Sequence, residues 1–521
     1  MTESRDRAEP VPAAGSGGPV TTAVADGQAH AGVVLSESAP SGGQQPRGLA
    51  ARRDAAGRVL RRHWLAAALL AAGLVLRLLV QFAYRPALFY IDTSRYLYDA
   101  QGNDPVGYKA PLRAILAVAN FNAVAAVQHL LGLAMAVVIY GLLLRRGLSR
   151  WLAALAIAPL LLDAYQLQSE QTIMPGTWFE ALIVASLAIL AWQQRAGWRR
   201  VVAAGVVLGT SATFAQVGEA LLLPAVIYLL ASGGGWRHTI GKAAALCAAF
   251  ALPIVAYSTG SKIMTGSFFL SHTGVTSFYG RTAAAADCGT LRLPAVERGM
   301  CPTKAQQARG PDWLEYGKTS PIRPYYANPA LRGAADSEIA NFNNAVLTQQ
   351  PQRLLAAYGR DVLKLYALSR VTSPGDTPIS RWQFHRYFPY FTSQTPKSEV
   401  LRSIRAFGGG TPRVWMPVAS FLRSYQRGGG YAPGPLLAIL TLTGLAGSVV
   451  AFRRRAASGV RQLALACLLF FGSAAFVLLV SDLFEFSWRY QLPVLVTLVP
   501  AGALGIGVIT TSIRAWRGSP R

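Results

Sequence analysis

Long apolar segments constrain this chain more than any other feature, because several approach the roughly 20 residues that a bilayer-spanning helix requires. Of the 521 residues, 52% are hydrophobic and 14% are charged, and the mean hydropathy is +0.31. That balance is far from the composition of a soluble globular domain. The sequence therefore predicts an all-α polytopic membrane protein with about ten transmembrane helices. The candidate spans are residues 64–83, 121–144, 151–169, 176–193, 201–215, 217–232, 243–259, 435–452, 463–481 and 491–512.

The formal net charge of +26 is explained better by a membrane than by a nucleic acid, which would require a basic patch on a soluble domain. Most Lys and Arg residues lie in short linkers between apolar runs, as the positive-inside rule predicts for cytoplasmic loops. With ten spans, all these linkers fall on one side and both termini are cytoplasmic. We expect a multi-pass protein of a bacterial plasma membrane, with membrane lipids and no nucleic acid as partners.

The order of the apolar and polar segments predicts five regions. Residues 1–60 are rich in Ala, Gly, Ser and Pro and cannot bury enough surface to fold. The apolar run that begins near Trp64 is too long for a signal-peptide core and predicts a signal anchor. The regions are a disordered cytoplasmic tail 1–60, a transmembrane core 61–259 with a first external loop 84–115, a mixed extracytoplasmic domain 260–434, transmembrane helices 435–512 and a cytoplasmic tail 513–521.

Two of the four cysteines fall in the predicted external region. Cys288 and Cys301 are separated by a dozen residues and are plausible disulfide partners in an oxidising compartment. The alternative of a metal pair is less favoured, because His and Cys companions at ligand spacing are missing. Cys247 and Cys467 lie within spans and are interpreted as small buried apolar residues.

The stretch "FYIDTSRYLYDAQGNDPVGYKAPL" follows the first span directly. Asp92 stands a few residues beyond the membrane boundary, with Arg95 and Lys109 further along the loop. A carboxylate held there by basic and aromatic neighbours can act as a general base toward a hydroxyl acceptor. The alternative interpretation is a solvated loop anchored by interfacial tyrosines.

Two later stretches place charged groups near the outer surface. Asp163 and Glu170 share a helical face with Gln166 in the third span, which favours a polar cavity over helix–helix hydrogen bonding. Arg489 lies beside Trp488 and Tyr490 where the last span begins, a setting suited to a lipid phosphate. The alternative for Arg489 is a snorkelling side chain among interfacial aromatics.

The order of these motifs resembles the GT-C class of membrane glycosyltransferases. An external Asp after the first span precedes "VQHLLGLAMAVVIYGLLLRRG", then "LLLDAYQLQSEQTIMPGTWFEALIVASLAIL", and finally "RYQLPVLVTLVP". The resemblance covers nearly all of residues 60–512. It is strongest to bacterial enzymes that use polyprenyl-phosphate sugars, similar to protein O-mannosyltransferases and to the aminoarabinose transferase of lipid A.

The resemblance implies roles for particular positions. Asp92 matches the catalytic base, Glu170 matches a Glu at the outer end of the third span, and Arg489 with Tyr490 matches a pair near the carrier phosphate. One departure stands after "LGTSATF", where many relatives carry an Arg and this chain has Ala215 and Gln216. Other bases would then have to contact the phosphate. The candidates are Lys109 and Arg281.

Transfer from a lipid-phosphate sugar needs a base for the attacking hydroxyl and cations for the departing phosphate. We therefore expect an inverting transfer to an extracytoplasmic protein, glycan or lipid, with no cofactor and no divalent metal. The main alternative is a transporter or a flippase of lipid-linked sugars, although transporters usually show two related halves. An inactive scaffold or sensor of the same fold is a third possibility.

Overall fold

The computed structural model describes residues 57–98, 105–271, 274–388, 397–453 and 457–517. Nearly all of the predicted tail 1–60 lies outside these residues. The described chain is almost wholly helical, with one two-stranded antiparallel pair formed by β1 (Tyr84–Arg85) and β2 (Arg413–Val414). The all-α class expected from the apolar runs is confirmed.

Residues 57–62 are helical, and ten further helices follow up to the predicted external region. In chain order they are α1 Trp64–Ala83, α2 Thr93–Leu97, α3 Lys109–Val118, α4 Phe121–Arg145, α5 Arg150–Leu162, α6 Ala164–Gln171, α7 Gly176–Ala191, α8 Trp198–Ala212, α9 Leu222–Ala231 and α10 Trp236–Thr265, with a 3-10 helix at Gln216–Leu221.

The remaining helices run from the predicted external region to the end of the described chain. They are α11 Gly274–Ala285, α12 Ala295–Arg298, α13 Lys304–Gln307, α14 Gly310–Tyr316, α15 Arg323–Ala327, α16 Pro329–Arg332, α17 Ala335–Gln349, α18 Pro351–Lys364, α19 Lys397–Phe407, α20 Met416–Arg427, α21 Gly434–Val450, α22 Ser458–Phe484 and α23 Leu498–Arg517, with 3-10 helices at Ile379–Trp382 and Leu492–Leu495.

The structure supports fewer membrane spans than the ten expected. Among the described residues, five helices are long and apolar enough to cross a bilayer, and α5 with α6 makes a sixth if that pair, bent by 52°, is one span. Three further apolar segments, at Gly176–Ala191, Gln216–Ala231 and Gly434–Val450, are shorter than a full crossing. A helix occupies each of the ten expected positions, but the count of ten is not confirmed.

The bend between α5 and α6 occurs at Asp163. Its carboxylate accepts hydrogen bonds from the backbone N–H groups of Tyr165 and Gln166, the usual way in which Asp begins a new helix. The expected continuous span 151–169 is therefore broken in the middle. The bend brings the end of α6 to the segment that follows α1, where the backbone N–H of Leu88 donates to the carbonyl oxygen of Gln171 over 2.9 Å.

In the described part of the region 260–434, which was expected to be mixed, helices predominate and the strand β2 pairs with β1. The region's own hydrophobic core includes Tyr279 on α11, Leu314 on α14 and Phe342 on α17. A disulfide joins Cys288 and Cys301, whose Cα atoms are 5.9 Å apart.

Candidate functional site

A cavity with a volume of about 820 Å³ lies in the described part of the chain. Its walls come from the first external loop, the start of α7, the 3-10 helix Gln216–Leu221, α11, α14 and the residues that follow α22. Segments far apart in sequence therefore meet at one chamber. Its charged lining residues are Asp92, Arg95, Glu180, Glu219, Asp312, Glu315, Arg323, Arg381, Glu485 and Arg489.

Asp92 stands immediately before the short helix α2. Neighbouring Thr93 is buried and braces the turn: its hydroxyl accepts from the backbone N–H of Tyr90 over 2.9 Å and donates to the carbonyl oxygen of Ile173 over 3.0 Å. The Asp92 carboxylate lies 3.6 Å from a guanidinium nitrogen of Arg95 and 3.6 Å from one of Arg489. The loop thus presents a carboxylate between two cations on a fixed backbone.

Arg489, next to Asp92 in the cavity lining, occupies an aromatic setting. Its guanidinium carbon lies 4.7 Å from the ring centre of Tyr490, 4.9 Å from that of Trp382 and 5.4 Å from that of Tyr90. It also donates a 2.8 Å hydrogen bond to the Tyr490 hydroxyl. Burial opposes its charge, but Tyr490, Tyr90 and Asp92 outweigh that effect and raise the pKa of Arg489 above its usual value. A permanently charged, planar group held this way can bind a phosphate.

Acidic residues are concentrated in the cavity even though the chain is strongly basic. Six of the 24 Asp and Glu residues line it, against four of the 50 Lys and Arg residues. Burial, reinforced by the charges of Asp312 and Glu315, raises the pKa of Glu485 to about 8. Burial likewise raises the pKa of Asp312, whose carboxylate lies 3.6 Å from Arg381. This acidic wall can accept hydrogen bonds from hydroxyl groups beside the Arg489 cation.

Two buried polar groups on the cavity wall lack a hydrogen-bond partner among the described residues. They are the Ser487 hydroxyl and the indole N–H of Trp382, and both side chains are at most 4% exposed. Buried donors are normally paired, so unpaired ones at a cavity wall indicate positions where a bound molecule can complete the hydrogen bonding.

The structure brings four of the residues singled out in the sequence to this one cavity. Asp92, Arg95, Arg489 and Tyr490 all line it, and so do Ala215 and Gln216, which stand where an Arg was expected. Arg381 and Arg323 are additional cations on the wall. Either could meet the need for a second phosphate contact that the sequence left open.

Glu170 and Asp163 are not among the residues that line the cavity. The Glu170 carboxylate is fully buried, 2.7 Å from Arg77 and 2.9 Å from His129. Asp163 begins α6 and pairs with Arg370 over 3.0 Å. Both acids join helices to their neighbours in this structure, the alternative that the sequence had left open for the third span.

Arg281 and Lys109, the two suggested phosphate contacts, also fall outside the cavity lining. Arg281 is buried, 2.5 Å from the carboxylate of Asp361, and donates to the carbonyl oxygen of Asp482. Lys109 begins α3. The Arg281 contacts fasten the external helix α11 to α18 and to the end of α22.

Sequence reasoning missed Asp312, Arg381, Trp382 and Glu485. Asp312 and Arg381 lie in a region whose fold was not anticipated, so no span boundary placed them near the membrane. Glu485 could have been found, because it stands four residues before Arg489 in "FEFSWRY". The sequence pattern that marks Glu485 is an acidic residue among aromatic residues at the end of a span.

Among the described residues, no group of three or more His, Cys, Asp or Glu side chains is arranged to hold a metal ion. Comparisons with protein-family models, curated proteins and solved structures find no match to this chain. The fold and site therefore define a helical membrane protein with a polar, arginine-containing cavity, and any narrower class is a proposal.

Proposed function

We propose that the protein is a membrane glycosyltransferase that transfers a sugar from a polyprenyl-phosphate carrier to an extracytoplasmic acceptor. The observation that carries the proposal is the placement of Asp92 3.6 Å from Arg489 in one cavity of about 820 Å³. Such a chamber is within the size range of small-molecule sites. In this proposal the chain has ten spans, the termini are cytoplasmic and the cavity opens outside the plasma membrane of a bacterium.

The two ends of the reaction need opposite charges, and the cavity supplies both. Asp92 accepts the proton of the attacking acceptor hydroxyl as its oxygen bonds to the anomeric carbon. Arg489 stabilises the negative charge that develops on the carrier phosphate as the sugar–oxygen bond breaks. A single displacement of this kind inverts the anomeric configuration.

The lining also offers surfaces for a prenyl chain and for a sugar. Phe179, Val217 and Phe484 are among the apolar lining residues and suit a prenyl chain. The acidic wall around Asp312 and Glu485, with the unpaired Ser487 hydroxyl, suits a polyol. A sugar phosphate combines a polyol with an anion. The cavity offers hydrogen-bonding acids for the polyol and the Arg489 cation for the anion.

The decisive experiment uses the purified full chain with a panel of synthetic polyprenyl-phosphate sugars and envelope extracts as acceptors. We expect transfer from at least one donor, and a loss of about 100-fold to 10,000-fold in Asp92→Asn, as for removal of a general base. Asp287→Asn is the matched control, because Asp287 is an acid on the external region outside the cavity lining, paired with Arg353. It should retain full activity.

The rival proposal is a transporter or a flippase of lipid-linked sugars. Reconstituted vesicles that move a labelled lipid-linked sugar across the bilayer, while no donor yields a transferred product, would establish it instead. A transferase product with the anomeric configuration of the donor would reject the single-displacement chemistry while leaving the enzyme class intact.

A further inference from the structure

A second, smaller pocket lies at the start of α1 and α5, away from the residues of the main cavity. Its volume is about 180 Å³. It is formed where the beginnings of two packed helices meet the last turns of α4 at Tyr140. The nine lining residues are Arg61, Arg62, His63, Trp64, Leu65, Ala66, Tyr140, Arg150 and Trp151.

The pocket is strongly cationic. Three arginines and a histidine line it, and none of its nine lining residues is acidic. Arg150 donates one of its N–H groups to the carbonyl oxygen of Arg62 over 2.8 Å, which holds the two helix starts together. Within the described residues, no ion pair involves Arg61 or Arg62. The guanidinium groups are thus concentrated without a carboxylate of the described chain to neutralise them.

The pocket has a polar base and an aromatic rim. His63 and the Tyr140 hydroxyl share a 2.7 Å hydrogen bond, which orients both groups. Trp64 and Trp151 meet edge to face with ring centres 5.4 Å apart, and they are 53% and 55% exposed. Exposed tryptophans at the first residue or two of apolar helices are typical of the level of lipid headgroups in a bilayer.

The positive charge of the pocket and its tryptophans, which are typical of the headgroup level, together indicate the chemistry of its ligand. A phosphate group accepts paired hydrogen bonds from arginine forks, and basic pockets between helices at the cytoplasmic surface attract anionic headgroups. We propose that this pocket binds the phosphodiester headgroup of an anionic glycerophospholipid in the cytoplasmic leaflet. The bound lipid would tie α1 to α5 at the surface opposite the proposed transfer site. This proposal does not depend on the enzymatic activity.

The test is native mass spectrometry of the detergent-solubilised full chain, titrated with phosphatidylglycerol or with phosphatidylcholine. We expect tighter binding of the first phosphatidylglycerol, and a weakening of roughly 30-fold in R61Q/R62Q, from the usual contribution of two basic residues near an anionic lipid. Both arginines are exposed, so their replacement should leave the fold intact.

The matched control is R195Q/R199Q, which removes two exposed arginines from another predicted cytoplasmic loop outside the pocket. Equal weakening by both double variants would reject a built site in favour of general surface charge. Equal affinity for the two lipids would also overturn the proposal. Displacement of phosphatidylglycerol by millimolar inorganic phosphate would assign the pocket to a free anion. The charge-retaining R61K/R62K should bind between wild type and R61Q/R62Q.

Discussion

At the scale of single residues, the cavity brings together charged groups whose removal from water would be costly if each were isolated. Arg489 is a partly buried cation, and it is tolerated because three aromatic rings and Asp92 surround it. Glu485 is a partly buried acid near two other acids, and its raised pKa favours the protonated form, which avoids repulsion. The same arrangement leaves one fixed cation and one proton-bearing acid facing the same space.

Replacing Glu485 by Gln should remove a pH dependence of stability. The pKa of Glu485 rises from 4.5 to about 8, chiefly through burial, so the folded chain retains a proton that the unfolded chain releases. That contribution to stability is fully present below pH 4.5 and is lost as the pH rises to about 8. The measurement is the unfolding temperature between pH 4.5 and 9. As the pH rises, the unfolding temperature of the wild type should fall relative to that of Glu485→Gln. Parallel curves would contradict the assignment.

Glu170 gives a contrasting prediction, because its contacts are internal. Glu170→Gln leaves Arg77 buried without its anionic partner, which typically costs about 3 to 5 kcal/mol. We expect a marked fall in the unfolding temperature and in the yield of folded protein. Asp287→Asn breaks a pair whose side chains are 55% and 36% exposed, and it should cost less than about 1 kcal/mol. Normal stability in Glu170→Gln, with weakened donor binding, would return Glu170 to the substrate site.

At the scale of elements, close helix packing depends on small residues. A Cβ atom on Gly505 of α23 would lie 2.0 Å from the carbonyl oxygen of Thr443 on α21, far inside van der Waals contact. The two helices therefore approach closely, as small residues allow in membrane helix pairs. Asp163 acts differently, because it interrupts an apolar run by ending α5 and beginning α6.

Gly505→Ala should consequently destabilise the protein by about 1 to 3 kcal/mol, because α21 and α23 must separate. Gly260 on α10 has no atom within 4 Å of its Cβ position. Gly260→Ala should therefore be neutral or stabilising, since Ala is the better helix former. Unfolding temperatures of the two variants measured in one detergent check the pair. Changes of the same sign in both would show that helix propensity, rather than packing, governs Gly505.

At the scale of the whole molecule, helices of the region 260–434 form part of the cavity. Asp312 and Glu315 of α14 are on its wall, together with Asp92 of the first loop and Arg489 near the last span. Arg281 fastens α11 through Asp361 and the carbonyl oxygen of Asp482. The region 260–434 therefore contributes to the site and does more than connect the membrane helices.

The proposed orientation can be tested with reporter fusions. Alkaline phosphatase inserted after Gly333, an exposed position in the external region, should be active because that enzyme needs an oxidising compartment. A fluorescent protein fused after Arg521 should fluoresce, since an even number of spans returns the chain to the cytoplasm. An inactive phosphatase at Gly333 would show that the topology is the reverse of the proposed one and that the proposed site does not face the outer surface.

Local sequence patterns were enough for the helical membrane class and for several site residues. Apolar length predicts helices wherever the backbone must satisfy its own hydrogen bonds, and charged residues at span ends pointed to Asp92, Arg489 and Tyr490. Helical periodicity also placed Asp163 and Glu170 on one face. Periodicity could not decide whether that face meets a cavity or another helix.

Tertiary structure decided what each of these side chains faces. Arg77 and His129, distant in sequence, enclose Glu170, whereas Asp312 and Arg381 reach the cavity only through the packing of the region 260–434. Tertiary structure also affects the number of spans. One apolar run is divided into two helices at Asp163, whose side chain caps the second helix. Apolar length and charge are local properties of the chain, but pairing and enclosure depend on contacts between residues far apart in sequence.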